Sequence, residues 1–260
     1  MTSKRVEDAA AFLASARREG RVIEALPEAC RPQSLAEGYD VQNAFRAIWP
    51  DSVAGWKIGA TAPATMARFG LDRPMYGPFF ASTVHASPAR TAAPTRHAMA
   101  IESEFAYRFG RDLPARAEPY TREEIVAAID ALIPAFEIVG TRYVQVPYGD
   151  AGSVVADCML NAAMVLGTPI PDWRGLDIFR HPVRLTIDGV VKGEGTGSDA
   201  LGDPRNVLEW VVENLRAGGI GLEKGQILST GTCTGVVPFA HGQTAVADFG
   251  TLGQIEVCFT

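Results

Sequence analysis

The segment Ile101-Glu102-Ser103-Glu104-Phe105-Ala106-Tyr107 sets two carboxylates two positions apart in an otherwise mostly apolar run. On a β-strand alternate side chains share a face, so Glu102 and Glu104 would point the same way, ~7 Å apart. Two like charges on one strand face repel each other unless a cation lies between them. An all-oxygen ligand set suits a hard divalent ion, Mg²⁺ foremost, which keeps positions open for water or substrate. The plain alternative is an exposed strand with both acids in solvent. Glu137 bears on that choice, being the single charge in Leu132-Ile-Pro-Ala-Phe-Glu137-Ile-Val139. A lone carboxylate is costly to bury without a partner. With Glu102 and Glu104 it would complete a three-carboxylate face; on an edge strand it would face water.

Lys57 raises the same question inside Gly55-Trp-Lys-Ile-Gly59. Burial and a nearby metal ion would both disfavour its ammonium form, lowering its pKa and fitting it for acid/base work. A lysine whose head reaches the surface is the alternative. Gly231-Thr-Cys-Thr-Gly235 is a small-residue loop dense in backbone N–H and hydroxyl donors, able to hold a carboxylate. It lacks the Gly-Lys-Ser/Thr ending of a phosphate loop. Cys233 has no histidine nearby in sequence to activate it. The four histidines, His85, His97, His181 and His241, show no zinc spacing. Gly193-Glu-Gly-Thr-Gly197 does not open a helix and so is no dinucleotide fingerprint, and Gly-x-Ser-x-Gly is absent.

These residues need strands to hold them, and the apolar runs supply candidates: 55–59, 100–109, 131–143, 183–187 paired with 190–193 through an Asp188-Gly189 turn, 226–230 and 254–259. Residues 5–48 read as helical, with a first helix ending near Gly20 and a second opening at Ser34-Leu-Ala-Glu37, a capping-box pattern repeated at Thr121-Arg-Glu-Glu124. A further helix runs from Asp203-Pro204 to Gly218-Gly219. Strands without regular βαβ alternation predict an α+β chain with a mixed or antiparallel sheet. The expected division is a helical N-terminal region over residues 1–52 and a β-rich catalytic domain over 53–260.

Length and composition are close to the average for soluble globular proteins. The 260 residues are 47% hydrophobic and 21% charged, which argues against disorder. A formal charge of −6 and the absence of a Lys/Arg-rich run argue against a nucleic-acid partner. No stretch of ~18 apolar residues could span a membrane, and the start of the chain is no signal peptide. The four cysteines, Cys30, Cys158, Cys233 and Cys258, are widely spaced, so reduced thiols in the cytoplasm are expected.

Five stretches in order, GWKIGAT (55–61), IESEFAYRFGRDL (101–113), PAFEIVGTRY (134–143), VADCMLNAAMVLG (155–167) and KGQILSTGTCTG (224–235), resemble the fumarylacetoacetate hydrolase superfamily, in its 2-keto-4-pentenoate hydratase and 4-oxalocrotonate decarboxylase branch. The resemblance covers most of the chain. It implies a mixed β-roll with a smaller helical N-terminal portion, assembled as a homo-oligomer. It places Glu102, Glu104 and Glu137 on the metal ligands for Mg²⁺ or Mn²⁺, Lys57 on the active-site lysine, and Gly231 and Thr232 in the substrate pocket. The implied reaction is addition of water at C4 of a short unsaturated 2-oxo acid such as 2-hydroxypenta-2,4-dienoate, with Lys57 moving protons. One departure is Met75 in Pro74-Met75-Tyr76-Gly77, where hydratases of the family often carry an acid. That keeps a 4-oxalocrotonate-type decarboxylase as an alternative. An acylpyruvate C–C hydrolase would add a histidine to activate water, and His97 is the histidine near the metal segment. A non-catalytic oxo-acid-binding module is the remaining alternative.

Overall fold

The helices α1 (Ser3–Arg18) and α2 (Leu35–Ile48) open the chain, the first ending near Gly20 and the second opening after Ser34 as expected, with an irregular stretch between them. Ser34 caps α2 by accepting the Glu37 N–H, but the capping box is half made, because Glu37 turns to the Gln33 N–H and the N-terminal amine. Ala9, Ala10 and Leu13 of α1 pack with Val41 and Phe45 of α2 against Phe80 and Tyr143 of the sheet region. The computed structural model describes residues 1–61, 63–91, 97–147, 149–200 and 202–260, the side chains of residues 63, 64 and 97–99 excepted.

The rest of the described chain is built on two sheets. In chain order the elements are β1 (Val53–Gly59), α3 (Pro63–Phe69), β2 (Met75–Phe80), β3 (Val84–Ala86), β4 (Ala89–Thr91), β5 (His97–Phe109), α4 (Arg122–Ala128), β6 (Ile129–Thr141), α5 (Ala151–Ala156), β7 (Asn161–Leu166), β8 (Pro182–Ile187), β9 (Val190–Thr196), α6 (Pro204–Ala217), β10 (Ile227–Thr232), β11 (Val237–Pro238), β12 (Thr244–Asp248) and β13 (Gln254–Phe259). The larger sheet runs β2-β1-β10-β5-β6-β7-β3, with β11 also on β5; the smaller runs β4-β13-β12-β8-β9. β1 with β10, β3 with β7 and β4 with β13 are parallel, and the other pairs are antiparallel, so the expected α+β chain with mixed sheets is the one observed.

The long strands β5 and β6 are the centre of the larger sheet. On β5, Ile101, Phe105, Tyr107 and Phe109 enter the main core with Phe136 and Ile138 of β6, the α6 residues Val207, Leu208 and Val211, and the inner face of the smaller sheet. The pleat therefore sends Glu102 and Glu104 to the opposite face. Pro134 sits within β6 without a broken ladder: its carbonyl accepts from Gly167, so the missing N–H faces the same side, beyond the last residue of β7. The Asp188-Gly189 turn has φ of 51° and 77°, the doubly positive geometry that matches strand twist in a hairpin. Sequence reading assigned no strand at β2, β7 or β12; all three complete the sheets.

Candidate active site

In the antiparallel register of β5 and β6, Glu102 stands directly opposite Glu137, and Glu104 follows two positions along the same face. The pairing brings together one carboxylate oxygen from each acid, all within 4.8 Å of one another. All three acids are buried, Glu104 and Glu137 completely. The exposed-strand readings of Glu102, Glu104 and Glu137 are thereby overturned, since β6 is an interior strand between β5 and β7.

The surrounding strands fix each acid. Lys57 on β1 is 3% exposed, so it does not reach the surface, and its Nζ lies 3.1 Å from Glu137 Oε2. Asn161, the first residue of β7, donates its amide N–H to Glu137 Oε1 at 3.0 Å. On β10, the Ser229 hydroxyl and the Gly231 N–H (3.0 Å) both donate to Glu104 Oε2. The Gly231 contact depends on an irregularity: the four residues of β10 from Ser229 to Thr232 lie opposite three of β5, from Ala106 to Glu104. Gly231 takes φ of +94° in this bulge, a conformation open to glycine, and its amide turns inward. The donor-rich loop thus does hold a carboxylate, and it is Glu104. Cys233 is buried, and burial followed by the Glu104 charge pushes its thiol far up, which removes it as a nucleophile.

Burial raises the carboxyl of Glu102 to about 7, with the Glu137 charge adding to it. Glu104 is raised well above the usual range, first by burial and then by Glu137 and Glu102. Lys57 departs from expectation. Burial alone lowers it, but Glu137, Glu102 and Glu104 together outweigh burial and hold the ammonium above its ordinary range. The expected lowering would need those carboxylate charges neutralised. Glu104 Oε1 is buried and accepts no hydrogen bond among the described residues. Three converging buried carboxylates, one with an orphaned oxygen, are a donor set that fits a hard divalent cation.

A cavity of about 430 Å³ opens onto this cluster. Lys57, Glu102, Gly231 and Thr232 line it, with Ile58, Ala60, Phe69, Val139, Met159 and Leu160 giving apolar walls. Gly231 and Thr232, the residues named from the sequence for a substrate pocket, both line this cavity. Met159 and Leu160 belong to a run, Cys158 to Leu160, whose φ angles of 55°, 55° and 61° lie in the left-handed region that non-glycine residues avoid. A buried ion pair, Arg142 with Asp157, stands at its start. Met75 is fully buried, opposite Gly59 in the β1–β2 register. The side chain of His97 lies outside the described residues. Sequence reading did not single out Asn161, Ser229, Arg142 or Asp157; Asn161 in Cys158-Met-Leu-Asn161-Ala-Ala carried the same signal as Glu137, a lone polar group in an apolar run.

Residues 65–260 match the family model described as fumarylacetoacetate (FAA) hydrolase C-terminal. The chain is 29% identical over 256 residues to a 2-keto-4-pentenoate hydratase of Burkholderia vietnamiensis, covering 96% of each protein. It is 27% identical to a 4-oxalocrotonate decarboxylase of Pseudomonas sp. strain CF600, covering 87% of this chain and 86% of that one. Among solved structures, 4-oxalocrotonate decarboxylase from Pseudomonas putida G7, complexed with magnesium and adipate, superposes with a TM-score of 0.90 at 24% identity, over 100% of this chain and 99% of that one. That likeness establishes the fold, and the β-roll implied by the sequence resemblance is the fold observed.

Proposed function

The chain belongs to the fumarylacetoacetate hydrolase family, and on that premise we propose that it is a metal-dependent hydro-lyase adding water to a short unsaturated 2-oxo acid such as 2-hydroxypenta-2,4-dienoate. The observation that carries the reading is the buried triad of Glu102, Glu104 and Glu137, facing Lys57 at an apolar-walled cavity. Glu102, Glu104 and Glu137 would hold Mg²⁺ or Mn²⁺, which when bound supplies Lewis-acid polarisation of a 2-oxo group and charge stabilisation for the developing enolate. Ser229 and the Gly231 amide hold Glu104, and Asn161 holds Glu137, so the acids are oriented before substrate arrives. Lys57 Nζ is the proton carrier: as the dienol loses its O–H proton and becomes the 2-oxo form, Lys57 places a proton on C5. C4 is then electrophilic; water adds there, and a proton goes to C3. The aliphatic and aromatic walls limit bulk water to the reacting molecule. Gly231 and Thr232 contribute the polar edge of the substrate pocket.

Met75 favours a second reading. It carries no proton and is sealed in β2, so an acid expected of a hydratase is missing there. The same enolate chemistry would then serve loss of CO₂ from a 4-oxalocrotonate-type acid, the activity named for one relative. Ultraviolet absorbance of 2-hydroxypenta-2,4-dienoate and of 4-oxalocrotonate, each with Mg²⁺ and with EDTA, separates the two. Metal-dependent loss of the dienoate with a hydrated product supports the hydratase. CO₂ release from oxalocrotonate alone moves the protein to the decarboxylase. Inertness toward both rejects the lyase reading and directs the test to acylpyruvates.

In this reading residues 1–52 are a brace and 53–260 carry the chemistry, in keeping with Gln42 of α2, which donates to the Tyr76 and Val155 carbonyls at 3.2 and 2.8 Å. The enzyme works as a cytoplasmic homo-oligomer. Its four cysteines are free thiols, and no helix among the described residues is long and apolar enough to cross a membrane. Light scattering of the purified protein tests the assembly.

A further inference from the structure

We infer that Met159 sets the size limit beside Lys57, admitting 2-oxo acids whose chain ends at C5 and resisting those with a further substituent there. The inference rests on the 2-oxo acid reading above and names the substrate class within it. Two glycines make the room that Met159 fills. Lys57 stands opposite Gly77 in the β1–β2 register, and Gly59 follows Lys57 two positions along the same strand face. A Cβ on Gly59 would lie 2.5 Å from Met159 Cε and 3.2 Å from Lys57 Nζ, so the thioether end and the amine border the same point. A Cβ on Gly77 would lie 2.8 Å from Met159 Cβ and 2.7 Å from the Cys158 carbonyl. Lys57, Gly59 and Met159 all line the cavity.

Met159 has little freedom to withdraw. It is 4% exposed and packs with Ala60, Met75 and Leu160. The preceding residue, Cys158, is buried instead in the core of α1 and α2 with Phe45 and Phe80, so the backbone between the two side chains is held from both sides. Glu137 stands 3.1 Å from Lys57 Nζ, within the acid cluster that would hold the metal and the 2-oxo acid head. A carbon brought to Nζ for protonation therefore has the carboxylates on one side and the Met159 thioether on the other. A hydrogen fits against that thioether where a methyl collides. Because a methionine side chain can bend, the exclusion is graded, about tenfold for one methyl.

The test uses the Mg²⁺-loaded protein with 2-oxopentanoate and 2-oxohexanoate, which differ by one methyl at C5, and calorimetric titration as readout. The wild type is expected to bind 2-oxopentanoate about tenfold more tightly, against the hydrophobic trend that favours the longer chain. Met159→Ala is expected to abolish or reverse that margin, chiefly through tighter binding of 2-oxohexanoate. Met159→Leu, close in volume, is expected to keep most of it. Should the alanine variant fail to fold, Met159→Gly makes the same deletion at a φ of 55°, which glycine adopts without strain. Equal binding or a preference for the longer acid in the wild type overturns the inference and leaves the 2-oxo acid reading intact. So does a margin that survives removal of the side chain, including a variant that weakens both ligands alike. Binding of neither ligand by the wild type overturns both.

Discussion

Glu104 and Asn161 occupy different layers of the same cluster, and their variants should separate accordingly. Glu104 carries a buried oxygen that accepts no hydrogen bond among the described residues, whereas Asn161 donates to Glu137 and so orients it. Asn161→Ala is expected to weaken Mg²⁺ binding about ten- to 100-fold, the usual effect of losing a group that orients a ligand. Glu104→Gln should weaken it further, and unchanged affinity in calorimetric titration of that variant would remove the triad as the metal site. Protonation gives a second handle. Glu102 is raised to about 7 by burial, above the ordinary carboxyl value of 4.5, and Glu104 is raised as well. A group with a raised folded-state pKa adds stability below its unfolded pKa and loses that contribution as pH rises through the folded value. Metal-free protein should therefore lose stability between about pH 4.5 and 7 and beyond, with Lys57 staying charged throughout. Mg²⁺ competes with those protons, so its affinity should rise over the same interval. Melting curves from pH 5 to 8.5 in EDTA and in Mg²⁺ check both signs; a metal-free melting temperature that climbs across this window would contradict the assignment.

Strands position these residues, and the bulge of β10 at Gly231 is where one strand turns a backbone donor onto Glu104. An added Cβ at Gly231 would meet Thr61 at 3.2 Å in a backbone conformation with φ of +94°. Gly231→Ala should cost ~1–2 kcal/mol of stability and also reduce Mg²⁺ affinity. Gly225→Ala is the control, with φ of +91° and open space around it: the same order of destabilisation is expected with metal affinity unchanged. Equal affinity in the two variants would show that the bulge does not orient Glu104. The strands that carry the triad were legible in the sequence because a single charge in an apolar run is conspicuous, as at Glu137 and Lys57. The element β7 was not legible. Asn161-Ala-Ala-Met-Val-Leu166 is buried on both faces for nearly its whole length, so it shows no alternation, and alanine has little strand preference; pairing with β6 and β3 makes it a strand. Asn161 stayed hidden with it, and Ser229 was read only as part of a strand. The capping residues were legible because capping is local: the Thr121 box forms in full, whereas Glu37 at Ser34 finds closer partners in Gln33 and the chain terminus.

At the scale of the molecule, the site is assembled from four segments distant in sequence, β1, β5, β6 and β10, closed by β7. No local propensity fixes their order, which is why the three acids and their shared strand face could be picked out in the sequence while the order of the strands around them could not. Long-range closure relies on buried polar ties. Asp157 accepts from the Arg142 guanidinium, both being almost completely buried, and joins the end of β6 to the segment after α5. Asp157→Ala leaves a buried guanidinium without its partner and should cost ~3–5 kcal/mol. That corresponds to roughly 10 °C in melting temperature for a chain of this size. Replacing both residues by aliphatic ones should cost less than the single change; a larger loss in the double variant would show that the pair stabilises beyond mutual compensation.

The left-handed run from Cys158 to Leu160 places two pocket residues, Met159 and Leu160, in backbone states that cost ~1–2 kcal/mol each for side chains of this kind. For anyone redesigning the protein, that turns the wall of the pocket into a point where two goals part company. Glycine at these positions would relieve the strain, and selection for heat resistance alone would drift towards it. The same exchange would delete the side chains that shape the space above the acids and loosen the approach to Asn161. Durability and selectivity are thus traded against each other in two consecutive residues, and a search that scores only one of them will choose wrongly there.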